Sequence, residues 1–118
     1  MRRKPGTLVP LEVAICTAAA ALKRAGTEEF HGFLIAKTLA HAADTKLLTA
    51  YGTLYRALAR LEKMGLVRSR QEDPRVAAQE NRPVRRLYTL TPAGEGAARE
   101  AETEVRFTAP RKPVEGLT

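Results

Sequence analysis

The period of the sequence changes at Gly65, and that change limits the folds open to the chain. Before it, Tyr51, Leu54, Tyr55, Leu58 and Leu61 share one broad face of a helix in which each residue advances about 100°. Thr53, Arg56, Ala57 and Arg60 fall on the opposite face. After it, Leu66, Val67, Arg68, Ser69 and Arg70 suit a strand. A helix with one apolar face therefore leads directly into a hairpin. Thr49 is the expected cap of that helix, which runs to about Met64.

A second strand is expected over residues 84–91. Val84, Arg86, Tyr88 and Leu90 would form its inner face, and Arg85, Leu87, Thr89 and Thr91 its outer one. The polar stretch between the strands, residues 71–83, is too long for a tight turn. It reads as a long, mobile hairpin loop.

Two helices are expected upstream. Pro10 suits a first helical turn and Gly26 a stop. Between them Leu11, Ala14, Ile15, Ala18 and Leu22 form a buried stripe. Thr27, with Glu28 and Glu29, is a plausible start for a second helix over residues 30–42. Its apolar side would hold Phe30, Phe33, Leu34, Ile35 and Leu39, and Asp44 and Thr45 mark a break. Downstream, Thr91 and Pro92 open a last helix over residues 92–105, whose first turn Gly94 and Gly96 weaken.

The order is helix, helix, helix, strand, long loop, strand, helix. That is a mostly α (α+β) fold, the winged helix-turn-helix. The expected division is a basic arm over residues 1–8, the winged helix over 9–91, a dimerisation helix over 92–105 and a flexible tail over 106–118.

Charge supports a polyanionic partner. The chain of 118 residues carries a net charge of +7. Arg2, Arg3 and Lys4 lead, Arg56, Arg60, Lys63, Arg68 and Arg70 follow, and Arg82, Arg85 and Arg86 come next. Acids gather apart, at Glu95, Glu100, Glu102 and Glu104. One face for a polyanion and another for a different task is expected.

Other chemistry is poorly represented. Cys16 is the sole cysteine, which excludes an internal disulfide, and its Ala-rich surroundings suit a small buried residue. His31 and His41 lack metal-ligand spacing and read as helix caps or surface residues. No nucleophile–base pair or phosphate loop appears, so neither an enzyme nor a cofactor is expected. No apolar run reaches membrane-spanning length, and a cytoplasmic setting follows.

The stretches HGFLIAKTLA, YGTLYRALARLEKMGLV and NRPVRRLYTLTPAG resemble the PadR family of winged-helix transcriptional regulators. The resemblance rests on Gly32 and Phe33; on Gly52, Thr53, Leu54 and Tyr55; on Leu58, Leu61, Glu62, Gly65, Leu66 and Val67; and on Tyr88, Leu90, Thr91 and Gly94. It spans about residues 30–94. It implies a homodimer that binds an operator and usually represses, with the third helix in the major groove and the wing along the backbone. Asn81 stands where the family often has Gly, and Asn tolerates left-handed backbone. The short C-terminal part resembles the compact subgroup and leaves little material for an effector pocket. The chain also lacks the Trp with which compact members sandwich flat drugs.

The expected function is that of a sequence-specific DNA-binding regulator, a repressor acting as a homodimer on a palindromic operator in double-stranded DNA. A small-molecule effector is left open but not indicated. Thr53, Arg56 and Arg60 are candidate contacts to bases or phosphates. Arg60→Ala is expected to weaken binding without unfolding the protein. Tyr51 is divided between groove and core, and Tyr55 is expected in the core. Lys46, before the third helix, and Lys63, at its end, join the candidate contacts, as do Arg82, Arg85 and Arg86 for wing phosphates. Arg68 and Arg70 are weaker candidates, and the N-terminal arm either reaches a groove or stays in solvent. The alternative for each is a solvated face. Leu11, Ile15, Ala18, Leu22, Ala97, Ala101 and Val105 are expected at a dimer interface. Two rival functions remain: a protein-interaction adaptor, and an architectural protein that binds DNA without sequence choice.

Overall fold

The computed structural model describes residues 8–40 and 51–108, with side chains as far as Glu102. Its elements are α1 (Pro10–Arg24), β1 (Glu29–Phe30), α2 (Gly32–Ala40), α3 (Tyr51–Lys63), β2 (Val67–Gln71), α4 (Pro74–Gln79), β3 (Arg86–Leu90) and α5 (Pro92–Thr108). Helices surround a three-stranded antiparallel sheet of order β1-β3-β2. Asp44, Thr45, Lys46 and Thr49 lie outside the described residues, as do the N-terminal arm through Thr7 and the tail from residue 109.

Local rules account for most helix ends. The Val9 N–H at the start of α1 donates to Glu12 Oε1 at 3.1 Å. At the end of α3, Leu66 N donates to Leu61 O at 2.9 Å and Gly65 N to Glu62 O at 3.0 Å. This pair of reverse bonds requires left-handed backbone at Gly65, whose φ is +80°. Thr91 caps α5 by accepting from Gly94 N at 3.0 Å.

Phe30 is not helical. It lies in β1 opposite Tyr88 of β3, with ring centroids 5.8 Å apart. β1 covers the edge of β3 that the hairpin leaves open. The second helix therefore starts at Gly32, and His31 caps it by accepting from Leu34 N at 3.3 Å. Thr27 instead completes the end of α1, donating to Leu22 O at 2.8 Å.

The wing connection is not a featureless loop. Asp73 accepts from Arg75 N at 2.9 Å and starts α4, with Pro74 at the first helical position. Asn81, at φ +57°, ends it. Asn81 N donates to Ala78 O at 3.0 Å and Arg82 N to Ala77 O at 3.1 Å. Asn81 thus supplies a left-handed helix end where a side chain is tolerated.

The core joins Ile15, Cys16 and Ala19 of α1, Phe30, Ile35 and Leu39, Leu54, Leu58 and Leu61 of α3, and Val67, Tyr88 and Leu90 of the sheet. Burial pushes the Cys16 thiol up to about 11, aided by the charge of Glu12. α5 reaches this core through Ala98. A Cβ on Gly94 would lie 2.1 Å from Leu66 O, so α5 crosses β2's approach only because Gly94 has none.

The expected inner face of the second strand needs correction, because Val84 precedes β3 and both it and Arg86 are exposed. The expected dimer set needs one as well. Ile15 is fully buried within its own chain and offers nothing to a second copy. Leu11, Ala18 and Leu22 are half-buried against the core, Ala97 and Ala101 are half-buried on α5, and Val105 lies beyond the described side chains.

Candidate nucleic-acid interface

α3 is held to the body by Leu54, Ala57, Leu58 and Leu61, all buried. The opposite side is therefore centred on Gly52, Arg56, Ala59 and Lys63, all exposed. This face is turned by most of one residue step, about 80°, from the one expected. Ala57 points inward because a methyl fits the close α1–α3–sheet core. Tyr51 and Tyr55 point outward, at 49% and 43% exposure. Tyr55 is not a core residue. Its ring lies over Gly32, where an added Cβ would stand 2.0 Å from the hydroxyl oxygen. The two tyrosine rings are neighbours, with centroids 6.4 Å apart.

The exposed face has the chemistry of a DNA contact surface. Arg56 donates from Nη2 to Thr53 Oγ1 at 3.2 Å, which orients its guanidinium beside a hydroxyl on the same helix. Lys63 is exposed at the far end. Phe33, 55% exposed at the start of α2, stacks against His31 and carries the Lys37 ammonium 5.7 Å from its centroid.

Arg60 sits differently from Arg56. Its Nε lies 3.0 Å from Oε2 of Glu12, a carboxylate of α1 that is 3% exposed. The Nε–H is not aimed at that oxygen, so the contact is an ion pair and not a hydrogen bond. Arg60 is thus tied to a buried carboxylate of α1, so Arg60→Ala tests the fold as well as the surface. The sequence reading missed Glu12. Its spacing three residues after Val9 marks it as a helix-start residue, but nothing local points to Arg60.

The wing arginines also divide. Arg82 is fork-bonded to Glu72, with Nη1 and Nη2 each donating at 2.7 Å, and Nε donates to Glu80 at 2.9 Å. It closes the wing loop, and its guanidinium is engaged within the chain. Glu72 also accepts from Arg85 N at 3.2 Å. The Arg82 guanidinium holds the Glu72 carboxyl down to about 2. Arg85 is half-exposed and Arg86 exposed, with Arg86 donating to Ser69 Oγ at 2.9 Å. Arg70 is fork-bonded to Glu29 of β1 at 2.7 and 2.8 Å, whereas Arg68 is exposed. The remaining exposed or half-exposed candidates are Tyr51, Thr53, Arg56 and Lys63 on α3 and Arg85 and Arg86 at the wing. Lys46 lies outside the described residues.

Among the described residues no group of His, Cys, Asp and Glu is placed to hold a metal ion. No helix among them is long and apolar enough to cross a membrane.

A family model described as the Transcriptional regulator PadR-like family matches residues 21–100. A PadR family transcription regulator from hypervirulent Clostridium difficile is similar in structure, with a TM-score of 0.64 and 24% identity. That match covers 82% of this chain and 88% of the other. A mutant form of Lactococcus lactis ZitR is similar with a TM-score of 0.57 and 20% identity, over 86% of this chain and 56% of its own. No curated protein matches. At these identities the two solved structures speak for the fold, and the family match spans α2, α3, the wing and the start of α5. The chain belongs to the Transcriptional regulator PadR-like family.

Proposed function

We infer that the chain represses transcription by binding a palindromic operator as a homodimer in the cytoplasm. The observation that carries the DNA contact is the solvent face of α3. Arg56 and Lys63 stand there with Tyr51 and Tyr55, on a helix anchored by four core residues. Arg56 is suited to guanine, because its planar fork matches two acceptors in the major groove. Arg85 and Arg86 fit phosphate, which fixes register without specifying sequence.

A two-fold dimer would present two such helices about one DNA turn apart, ~34–36 Å. Leu11, Ala18 and Leu22 of α1 and Ala97 and Ala101 of α5 are half-buried, and the dimer reading assigns their exposed parts to a second copy. Mobility shifts with random-sequence competitor test the reading. A regulator keeps roughly 10³-fold or greater preference for its site. Binding that random DNA abolishes at equal concentration contradicts sequence choice. Sedimentation as a monomer at micromolar concentration contradicts the dimer.

A further inference from the structure

Phe33 turns its ring to solvent at the start of α2, 55% exposed, whereas Phe30 just before it is buried. Two neighbours hold the exposed ring. His31 stacks on it, with centroids 6.3 Å apart and planes 4° from parallel. The Lys37 ammonium stands 5.7 Å from its centroid. His31 is itself fixed, because its Nδ1 accepts from Leu34 N at 3.3 Å. Lys37 is one helical turn beyond Phe33, and helical side chains lean toward the helix start, so its ammonium reaches back over the ring. Lys37 is exposed and, among the described residues, is paired with no carboxylate. Its charge is therefore held in place yet open to an outside partner.

This cluster adjoins both parts of the DNA-facing surface. The Tyr55 ring of α3 lies over Gly32, the residue between His31 and Phe33. From the wing, the charges of Arg85 and Arg82 act on His31. α3 and the wing thus meet at the start of α2.

We propose that Lys37, carried on the Phe33 ring, contacts a phosphate of the DNA backbone bordering the groove that α3 occupies, with Phe33 as its positioning residue. This rests on the reading of α3 as the DNA-facing helix. A compact ammonium on a neighbouring helix suits a phosphate oxygen and not the paired acceptors of a base edge. The ring restricts a long, flexible side chain before DNA arrives, so less freedom is lost on binding.

Salt dependence on a random-sequence duplex tests the contact, because a phosphate contact acts on every sequence alike. Lys37→Gln is expected to lower the slope of log affinity against log salt by about 0.9. Between roughly 200 and 50 mM salt the wild type then gains about 3.5-fold more affinity than the variant. Arg99→Gln removes one charge from an exposed position of α5 and is expected to keep the wild-type slope. Phe33→Leu keeps apolar bulk and loses the ring face. It is expected to weaken binding about 2- to 5-fold where Lys37 is present, and not at all in Lys37→Gln. Phe33→Tyr, which keeps the ring, is expected to bind as wild type does.

An unchanged slope in Lys37→Gln overturns the proposal. So does an equal fall in Arg99→Gln, which marks a general effect of net charge. A Phe33→Leu loss that persists without Lys37 overturns the positioning role. A measurement on the wild-type chain needs no substitution: the Lys37 ammonium signal in a nitrogen-15 spectrum is expected to shift on adding the random duplex, and an unmoved signal contradicts the contact. Arg56→Ala separates the two readings. If it weakens binding while Lys37→Gln does not, the Lys37 contact alone fails. If the wild type binds neither random nor selected duplexes, the DNA-binding reading itself fails, and the proposal falls with it.

Discussion

The Thr91 hydroxyl donates to the carbonyl of Gly65 at 2.7 Å, joining the exit of α3 to the start of α5. The same oxygen accepts from Gly94 N, so one buried hydroxyl both caps a helix start and ties it to the turn that ends α3. Thr91→Val keeps the shape and loses both bonds. A cost of about 1–3 kcal/mol is expected from denaturant unfolding, because the buried Gly94 N–H is left without its acceptor. Thr91→Ser, which keeps the hydroxyl, should recover most of it.

Arg56→Ala and Lys63→Ala are expected to weaken DNA binding with little effect on stability, within about 0.5 kcal/mol, since both are exposed and outside the core. Loss of one phosphate contact lowers the salt slope by about 0.9. Loss of a base contact instead costs about 1–3 kcal/mol at one operator position. Affinity measured on substituted operators at several salt concentrations separates the two. Unchanged affinity in both variants would remove α3's exposed face from the interface.

Arg82→Ala should behave differently from Arg56→Ala. It breaks the fork to Glu72 and loosens the wing loop, so faster amide exchange over residues 72–85 is expected. Acid should act on the same pair. Arg82 lowers the Glu72 carboxyl from 4.5 to about 2. A lowered carboxyl stabilises the fold above its ordinary value and loses that contribution as pH falls from about 4.5 towards 2. Carboxyl chemical shifts should show Glu72 titrating near the lower figure. Titration at the ordinary value would mean that the fork does not persist in solution.

His31 gives a second pH dependence. Burial chiefly, then the charges of Arg85 and Arg82, hold its imidazole below the usual histidine value, against an opposing pull from Glu72. The neutral ring caps α2 through Nδ1. Its contribution is complete above the ordinary value of 6.5 and is lost as pH falls through the lowered one. His31→Asn, which preserves a cap acceptor, should be less sensitive to acid than wild type. Parallel denaturant midpoints from neutral to acidic pH make the comparison.

The parts of the fold legible in the sequence were those with long, strong periods. Leu54, Leu58 and Leu61 located α3 and its anchored side, and Thr91 with Pro92 located the start of α5. Tyr51 and Tyr55 misdirected the face because large rings count as apolar, although both are exposed here. Ala57 misled in the opposite sense, being small enough to be placed on either side. β1 has two residues, too few to display alternation. α4 did carry a local signal, Asp73 followed by Pro74, but the surrounding polarity masked it. The pairs Glu12–Arg60 and Glu72–Arg82 join residues that only folding brings together. The elements that carry the candidate residues, α3 and the wing, were therefore legible in the sequence, while the outward face of α3 and the division between engaged and exposed arginines required the structure.

Selection of bound duplexes from a random pool reads sequence choice and two-fold symmetry in one measurement. A two-fold regulator reading DNA through α3 enriches one motif with two inverted halves whose centres lie about 10 base pairs apart, with enrichment lost in Arg56→Ala. A pool that stays random after repeated rounds with the wild-type protein would contradict this reading.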